Sequence, residues 1–501
     1  MSSTGIVALC LAVVIFVYFY NNPLKHGAWF LSRRFINWFP LGMTYAFLYM
    51  GRYNLSVAKN ALGPLMPNKD FGLISGAGTL VYALSFLVNG PLVDKIGGKK
   101  GIIIAATGSA LANVGLGVVT WLVLTDRWHV PLLGVCATLY ALNMYFQSYG
   151  AVSIIKVKAN WFHVRERGLF GAIFGTLISF GVFFAFDWGK AVADMTKVAA
   201  PAPADASWLS DLLRPVFVTA GATIDATWSV FFVPAAILIG WAALDAWLIK
   251  ETPEDAGFPY LDTHDASSGH MQEEYSTLDL LKKVFLSPLM LLLGGIELTA
   301  GVMRNGISNW YTIFATQVPQ TGAESIAKNW GLLLCMFGIV GGFAGGLISD
   351  KFFQSRRGPP AAMLCCFMVM MAAVMAMTLR SAPFIVGISA LLIWMSVTGV
   401  HSLTSGTAAA DFGGRKATAT CSGLVDGCVY LGSTVQSVCV GYLTDPDWSG
   451  HSWRWWPIFL LPFALLGAYI AFRIWNELPE ATKKYIAEHE QKPKPAPVAA
   501  T

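Results

Sequence analysis

"GPLVDKIGGKK", residues 90–100, sets Asp94, three lysines and a Gly-Gly pair directly behind a long apolar run, and "GGLISDKFFQSRR", residues 345–357, likewise ends a long apolar run with Asp350, one lysine and two arginines, its Gly-Gly pair ahead of the aspartate. Each charged turn separates two apolar stretches of about 20 residues, the length that crosses the hydrocarbon core of a bilayer as a helix. The composition agrees: 501 residues, 55% hydrophobic and 13% charged, with a mean hydropathy of +0.56. Soluble domains are about a quarter charged, so lipid rather than water covers most of this chain. Sustained apolar–polar alternation is missing, which excludes a β-barrel. An all-α polytopic membrane protein follows.

Twelve main spans are expected, at 38–58, 71–93, 101–124, 131–155, 168–188, 228–249, 288–314, 330–349, 360–379, 384–406, 418–443 and 456–476. Ahead of them, "GIVALCLAVVIFVYFY" (5–20) is charge-free, with no basic leader and no small-residue cleavage site. That argues against a cleaved signal and for an extra N-terminal anchor helix. Lysine and arginine set the orientation. Of the 34, 23 fall in segments assigned to one side and 9 in those assigned to the other, and Arg52 and Arg304 lie inside spans. Both ends of the twelve-span body are thereby expected in the cytoplasm of a cell membrane, with the extra helix starting outside.

The charged turns repeat at a nearly constant interval. Asp94 and Asp350 are 256 residues apart, Arg52 and Arg304 252, and Arg165 and Arg415 250. Duplication of a six-span unit accounts for all three. The expected units are an N-terminal helix and basic connector (1–35), a six-helix half (36–249), a cytoplasmic linker (250–287), a second six-helix half (288–477) and a cytoplasmic tail (478–501). Within the linker, "STLDLLKKVF" suits an amphipathic surface helix. Two parallel repeats of this kind are the architecture of major facilitator transporters.

An arginine near the centre of a span costs about 2.5–3.5 kcal/mol on insertion scales, so it needs a reason. Arg52 and Arg304 hold equivalent places in spans one and seven, which both line the central cavity in such a fold. Two guanidinium groups facing each other across it repel unless an anion lies between them. Phosphate suits that role, because each planar fork can donate two hydrogen bonds to its oxygens. At helical spacing Tyr45, Tyr49, Arg52 and Ser56 share a face, as do Glu297, Arg304, Ser308 and Tyr311. Two alternatives stay open on the residues alone: the arginines reach outward to an interface, or Glu297 neutralises Arg304.

Other polar faces are Tyr140, Asn143 and Gln147 in span four, Trp394, Thr398, His401 and Ser405 in span ten, and Ser422, Asp426, Tyr430 and Ser433 in span eleven. His401 is the one histidine within a span, and its near-neutral titration could follow that of phosphate or serve a plain interhelical hydrogen bond. Asp426 could bind a substrate hydroxyl, pair with an arginine or sit protonated. The eight cysteines lie in apolar runs and read as packing residues. Neither a nucleotide loop, nor a metal cluster, nor a nucleophile–base pair is evident. No enzymatic activity, cofactor, metal or nucleic-acid partner is expected, and a monomer is.

These residues resemble the organophosphate:phosphate antiporter family of the major facilitator superfamily, which includes glycerol-3-phosphate and hexose-phosphate carriers. "LYMGRYNLSVAKNALG" (48–63) is similar to its first span, "VMRNGISNWYTIFAT" (302–316) to its seventh, "NWFHVRERG" (160–168) to its loop 4–5, "ETPEDAGFP" (251–259) to its linker and "ATCSGLVDGCVYLGS" (419–433) to its eleventh span. The resemblance implies that Arg52 and Arg304 bind the phosphoryl group; from the polar faces, Tyr45, Tyr49, Gln147, Tyr311, His401 and Asp426 are the other candidate substrate-binding residues. It also implies exchange of a phosphate ester for inorganic phosphate by alternating access. Some members carry a lysine in span two and a histidine in span five; residues 71–90 and 168–186 here have neither. A sugar-phosphate sensor of transporter-like build and a proton-coupled organic anion symporter are the other expectations.

Overall fold

The structure is a computed structural model that describes residues 2–129, 131–163, 166–199, 208, 223–263, 282, 288–318, 323–353, 356–412, 414–447 and 452–477. The predicted surface helix at 276–285 (apart from residue 282), the tail from 478 and Arg165 lie outside the described residues. Helix α1 spans Ser3–Tyr20, α2 Ala28–Leu62, α3 Asn68–Ile96, α4 Gly98–Leu124, α5 Leu132–Trp161 and α6 Arg167–Phe183. A π-helical turn, Phe184–Trp188, carries α6 into α7, Gly189–Thr196, and α8 spans Ser229–Leu248. The second half runs α9 Pro288–Ser308, α10 Trp310–Gln317, α11 Ala323–Lys328, α12 Trp330–Phe352, α13 Gly358–Thr378, α14 Pro383–Phe412, α15 Gly414–Thr444 and α16 Trp455–Arg473.

Among the described residues, ten helices are long and apolar enough to cross a membrane. The expected spans missing from that set are α2, α5 and α9, the helices that carry Arg52, Gln147 and Arg304. Their polar residues lower the hydropathy, and burial against protein compensates: Arg52, Asn54, Gln147 and Glu297 are all buried.

Two details depart from the expected spans. Helix α2 begins at Ala28, ten residues ahead of the span at 38, because Arg33 and Arg34 find partners at the bundle base: Arg33 donates to the Leu248 carbonyl at 2.9 Å, and Arg34 to Glu166 at 2.9 and 3.0 Å. Span seven continues from α9 into α10 through Asn309, which keeps a helical backbone (φ −86°, ψ −35°) and donates to the Asn305 carbonyl at 3.3 Å. Span five continues past Trp188 into α7, after which Lys197–Ala199 pairs antiparallel with Thr223–Asp225 in a ribbon that the pattern did not announce.

The opening motif folds as a clasp. Gly97 takes φ +92°, a conformation open to glycine, and lets α4 start at once. The first backbone N–H groups of α4, at Gly98 and Lys99, donate to the Glu251 carboxylate at 2.8 and 2.9 Å, so the start of the linker caps the helix. Asp94 receives Lys156 from α5 at 3.1 Å.

The expected extra helix is present. Helix α1 shows little buried surface, as a lipid-facing helix should, and is held near both ends: Trp188 donates to the Thr4 hydroxyl at 3.3 Å near its start, and Tyr18 is bonded near its end. There the Tyr18 hydroxyl donates to the Leu31 carbonyl at 2.8 Å and accepts from Arg34 at 3.1 Å.

The two halves meet along α3 and α15, where Gly72 and Gly441 allow backbone contact: a Cβ on Gly72 would lie 2.8 Å from the Gly441 Cα. At the end of the bundle where α2 leaves and α3 begins, polar bonds join the halves. Asn68 and Gln317 exchange amide hydrogen bonds at 3.0 and 2.8 Å, and Asn60 donates to Thr312 at 3.2 Å. The Lys69 N–H donates to Asp445 at 2.7 Å, and Ser75 meets Ser437 at 3.2 Å. Further inter-half bonds lie at that end or midway along the helices: Ser56 donates to Asn309 at 3.1 Å and Thr79 meets Thr434 at 2.9 Å.

Candidate functional site

Arg52 sits midway along the bundle and is buried, 3% exposed. Its Nε donates to Gln147 at 2.9 Å, one terminal nitrogen donates to Tyr82 at 3.0 Å and the other to Tyr430 of the second half. Its guanidinium carbon lies 4.6, 4.7 and 5.5 Å from the ring centres of Tyr49, Tyr82 and Tyr430. Cation–π contacts of this kind contribute about 0.5–2 kcal/mol each, so three rings offset the insertion cost of the charge.

Helix α5 holds this arginine from behind. Tyr140, Asn143 and Gln147 follow one face of α5, as their spacing predicts, and meet α2 at consecutive residues. Tyr140 donates to the Arg52 carbonyl at 2.8 Å and Asn143 to the Gly51 carbonyl at 2.9 Å. Gln147 spends its amide N–H groups on Ser109 and Asn143, both at 3.2 Å, which turns its oxygen toward Arg52. Ser109 and Asn113 of α4 complete this network and went unmarked in the sequence, because short polar side chains in an apolar helix are common.

Arg304 comes from the opposite half and donates to the Tyr49 hydroxyl at 3.2 Å. Tyr45 packs edge-on against Tyr49, ring centres 5.5 Å apart. The structure therefore brings together Arg52, Arg304, Tyr45, Tyr49 and Gln147 from the sequence-derived set and adds Tyr82 and Tyr430. Tyr430 belonged to the polar face of span eleven; Tyr82 shares a helical face with Ser75, Thr79 and Asn89 in span two, a polar stripe that the sequence reading did not mark.

Both alternatives for the arginines are answered. Arg52 is enclosed rather than turned to an interface, and Glu297 reaches His401, not Arg304. The His401 Nδ1 lies 3.0 Å from Glu297 Oε2. Among the described residues neither Arg52 nor Arg304 has a carboxylate within ion-pair distance. Asp426 stands 3.9 Å from His401 Nε2 and joins this second cluster.

Tyr311 lies apart from the two arginines. Its hydroxyl donates to the Ala323 carbonyl at 3.3 Å and its ring stacks on Trp330, centres 4.3 Å apart, so it faces α11 and α12.

A family model described as the Major Facilitator Superfamily matches residues 41–437. The chain belongs to that superfamily. The resemblance to its organophosphate:phosphate antiporters holds among its relatives. It is 24% identical over 443 residues to the "Glycerol-3-phosphate transporter" of Bacillus subtilis, covering 86% of this chain and 90% of that one. It is 24% identical over 450 residues to the "Membrane sensor protein UhpC" of Escherichia coli, covering 86% and 92%. The "Probable hexose phosphate transport protein" of Chlamydia pneumoniae is 21% identical over 462 residues, covering 88% and 90%.

Among solved structures, a bacterial homologue of the human lysosomal transporter Spinster, in an inward-facing and unoccupied conformation, shares the fold. Its TM-score is 0.65 at 14% identity, covering 88% of this chain and 96% of that one. A variant of the E. coli fucose:proton symporter FucP follows at TM-score 0.51 and 15% identity, covering 86% and 98%. This major facilitator chain is thus an all-α, multi-pass membrane protein and not an enzyme.

Proposed function

We propose that this major facilitator protein is a secondary transporter of a phosphate ester, glycerol-3-phosphate or a sugar phosphate, and exchanges it for inorganic phosphate by alternating access. The observation that carries the reading is the pair Arg52 and Arg304. They come from opposite halves, are joined through Tyr49, and have no carboxylate in ion-pair distance among the described residues. A phosphoryl dianion supplies the missing charge. The tyrosine hydroxyls of Tyr49, Tyr82 and Tyr430 can rotate from accepting an arginine N–H to donating to a phosphate oxygen.

The names of the relatives from B. subtilis and C. pneumoniae favour the same substrate class. With both ends of the twelve-span body in the cytoplasm, the polar seal from Asn68–Gln317 to Ser75–Ser437 closes the outer side, and the halves rock about the arginines to open it. Counterflow in proteoliposomes loaded with inorganic phosphate, against external glycerol-3-phosphate, glucose-6-phosphate and phosphoglycerate, tests this. Uptake that depends on internal phosphate supports exchange; uptake driven by a pH gradient without internal phosphate refutes it.

A second reading, a sensor of transporter-like build, draws on the equal similarity to UhpC. It predicts phosphate-ester binding with negligible flux in the same vesicles.

A further inference from the structure

We propose that Glu297, His401 and Asp426 form a proton-binding site linked to the anion site, so that an anion entering between Arg52 and Arg304 draws a proton onto this cluster. The proposal deepens the transport reading and rests on it.

Three helices of the second half supply the cluster. Glu297 of α9 is fully buried and satisfied: both its carboxylate oxygens lie near His401 Nδ1, at 3.0 and 3.2 Å, and Thr404 donates to it. The other ring nitrogen, Nε2, faces Asp426 Oδ1 of α15 at 3.9 Å, inside Coulombic reach but outside hydrogen-bond distance. That Oδ1 is shielded from solvent and has no hydrogen-bond partner.

An imidazolium between two carboxylates leaves one negative charge uncompensated. It rests on the group least able to support it, since a buried carboxylate oxygen without a donor favours the protonated form. One added proton makes the cluster neutral. Among the described residues, the other charged or titratable groups that act on it are Arg304 of α9, Arg52 of α2, Tyr82 of α3, Cys428 of α15 and Cys365 of α13. Helix α12 meets α14 through Gly338, Gly341 and Gly345 and adds no charge there.

Arg304 follows Glu297 by seven residues, about 10 Å along the helix. A phosphate held at Arg304 therefore feels the leftover negative charge of the cluster. Two unit charges at that distance in an effective dielectric of about 20 alter affinity by roughly tenfold. Protonation removes the repulsion, and by linkage the anion raises the proton affinity of the cluster by the same factor. Nothing in the exchange reading requires this proton; the geometry adds it.

Isothermal titration of the purified full-length protein with inorganic phosphate, in two buffers of different ionisation enthalpy, counts protons taken up per phosphate bound. Changes in the protonation of phosphate itself are common to wild type and variants. The expected result is a higher count for wild type than for Asp426→Asn and His401→Gln, by up to about half a proton, the most that a tenfold coupling can draw in. The phosphate affinity of both variants should also vary about tenfold less between roughly pH 6 and 8. Equal counts in wild type and in whichever variants fold overturn the proton site alone. A wild type that binds no phosphate overturns the transport reading and this proposal with it.

Discussion

Arg304 donates to the hydroxyl of Tyr49 at 3.2 Å, while the ring of the same tyrosine lies 4.6 Å from the guanidinium carbon of Arg52. One side chain thus touches both cations, and it bridges the two halves of the protein. A guest that binds both arginines must displace or recruit that hydroxyl, so the tyrosine reports on the clamp.

Tyr49→Phe keeps the ring and removes the bridge. A hydrogen bond to a charged group contributes about 1.5–3 kcal/mol, part of which the phosphate would restore. The expected outcome is a severalfold to tenfold rise in the half-saturating phosphate concentration with membrane insertion unchanged, measured by phosphate counterflow over a concentration series.

Gln147→Leu leaves the Arg52 Nε without its partner and breaks the link to Ser109 and Asn143. Because the residue orients the arginine, maximal flux should fall about tenfold or more. Gln147→Glu should fare worse, since a carboxylate there neutralises the cation that the phosphate needs. Flux in Gln147→Glu equal to wild type would contradict the role of a free positive charge.

Asp187, on the π-helical turn after α6, accepts the Gly331 and Leu332 N–H groups of α12 at 2.8 and 3.1 Å and so caps a helix of the other half. A cap contributes about 0.5–2 kcal/mol. Asp187→Ala should therefore enrich the conformation opened at that end by up to about tenfold or more. Spin labels at Lys69 and Asp447, both exposed at the same end, should show a longer-distance population in the variant.

Glu166 is a stability element outside the spans. Burial alone would raise its pKa, but His26 at 3.5 Å and the two hydrogen bonds from Arg34 hold it down to about 2 against an ordinary 4.5. A depressed carboxylate contributes stability that is present above its unfolded pKa and lost as pH falls toward the folded one. The gain is on the order of 3 kcal/mol. Thermal unfolding in detergent should show Glu166→Gln well below wild type at pH 7. The gap should narrow from about pH 4.5 downward.

The two-fold plan was legible because Asp94 and Asp350, and Arg52 and Arg304, repeat at nearly one interval in apolar surroundings that tolerate few charges. Tyr140, Asn143 and Gln147 were legible for the same reason, on one face of a straight helix. Tyr311 shares a helical face with Ser308 in the sequence, but helical spacing does not say which neighbours that face meets, here Ala323 and Trp330. Tyr82 escaped notice since a tyrosine in a span is ordinary until its hydroxyl is seen to meet a cation. The partner of Glu297 could not be read at all: choosing His401 over Arg304 depends on how α9 packs against α14, which one helix's sequence does not encode.

The most direct test is phosphate counterflow in proteoliposomes with Arg52→Lys and Arg304→Lys, each at wild-type insertion. Lysine keeps the positive charge and loses the planar fork. The account predicts that flux falls by about a hundredfold or more in both, the loss of one good bidentate contact. Near-normal flux in either variant would contradict it.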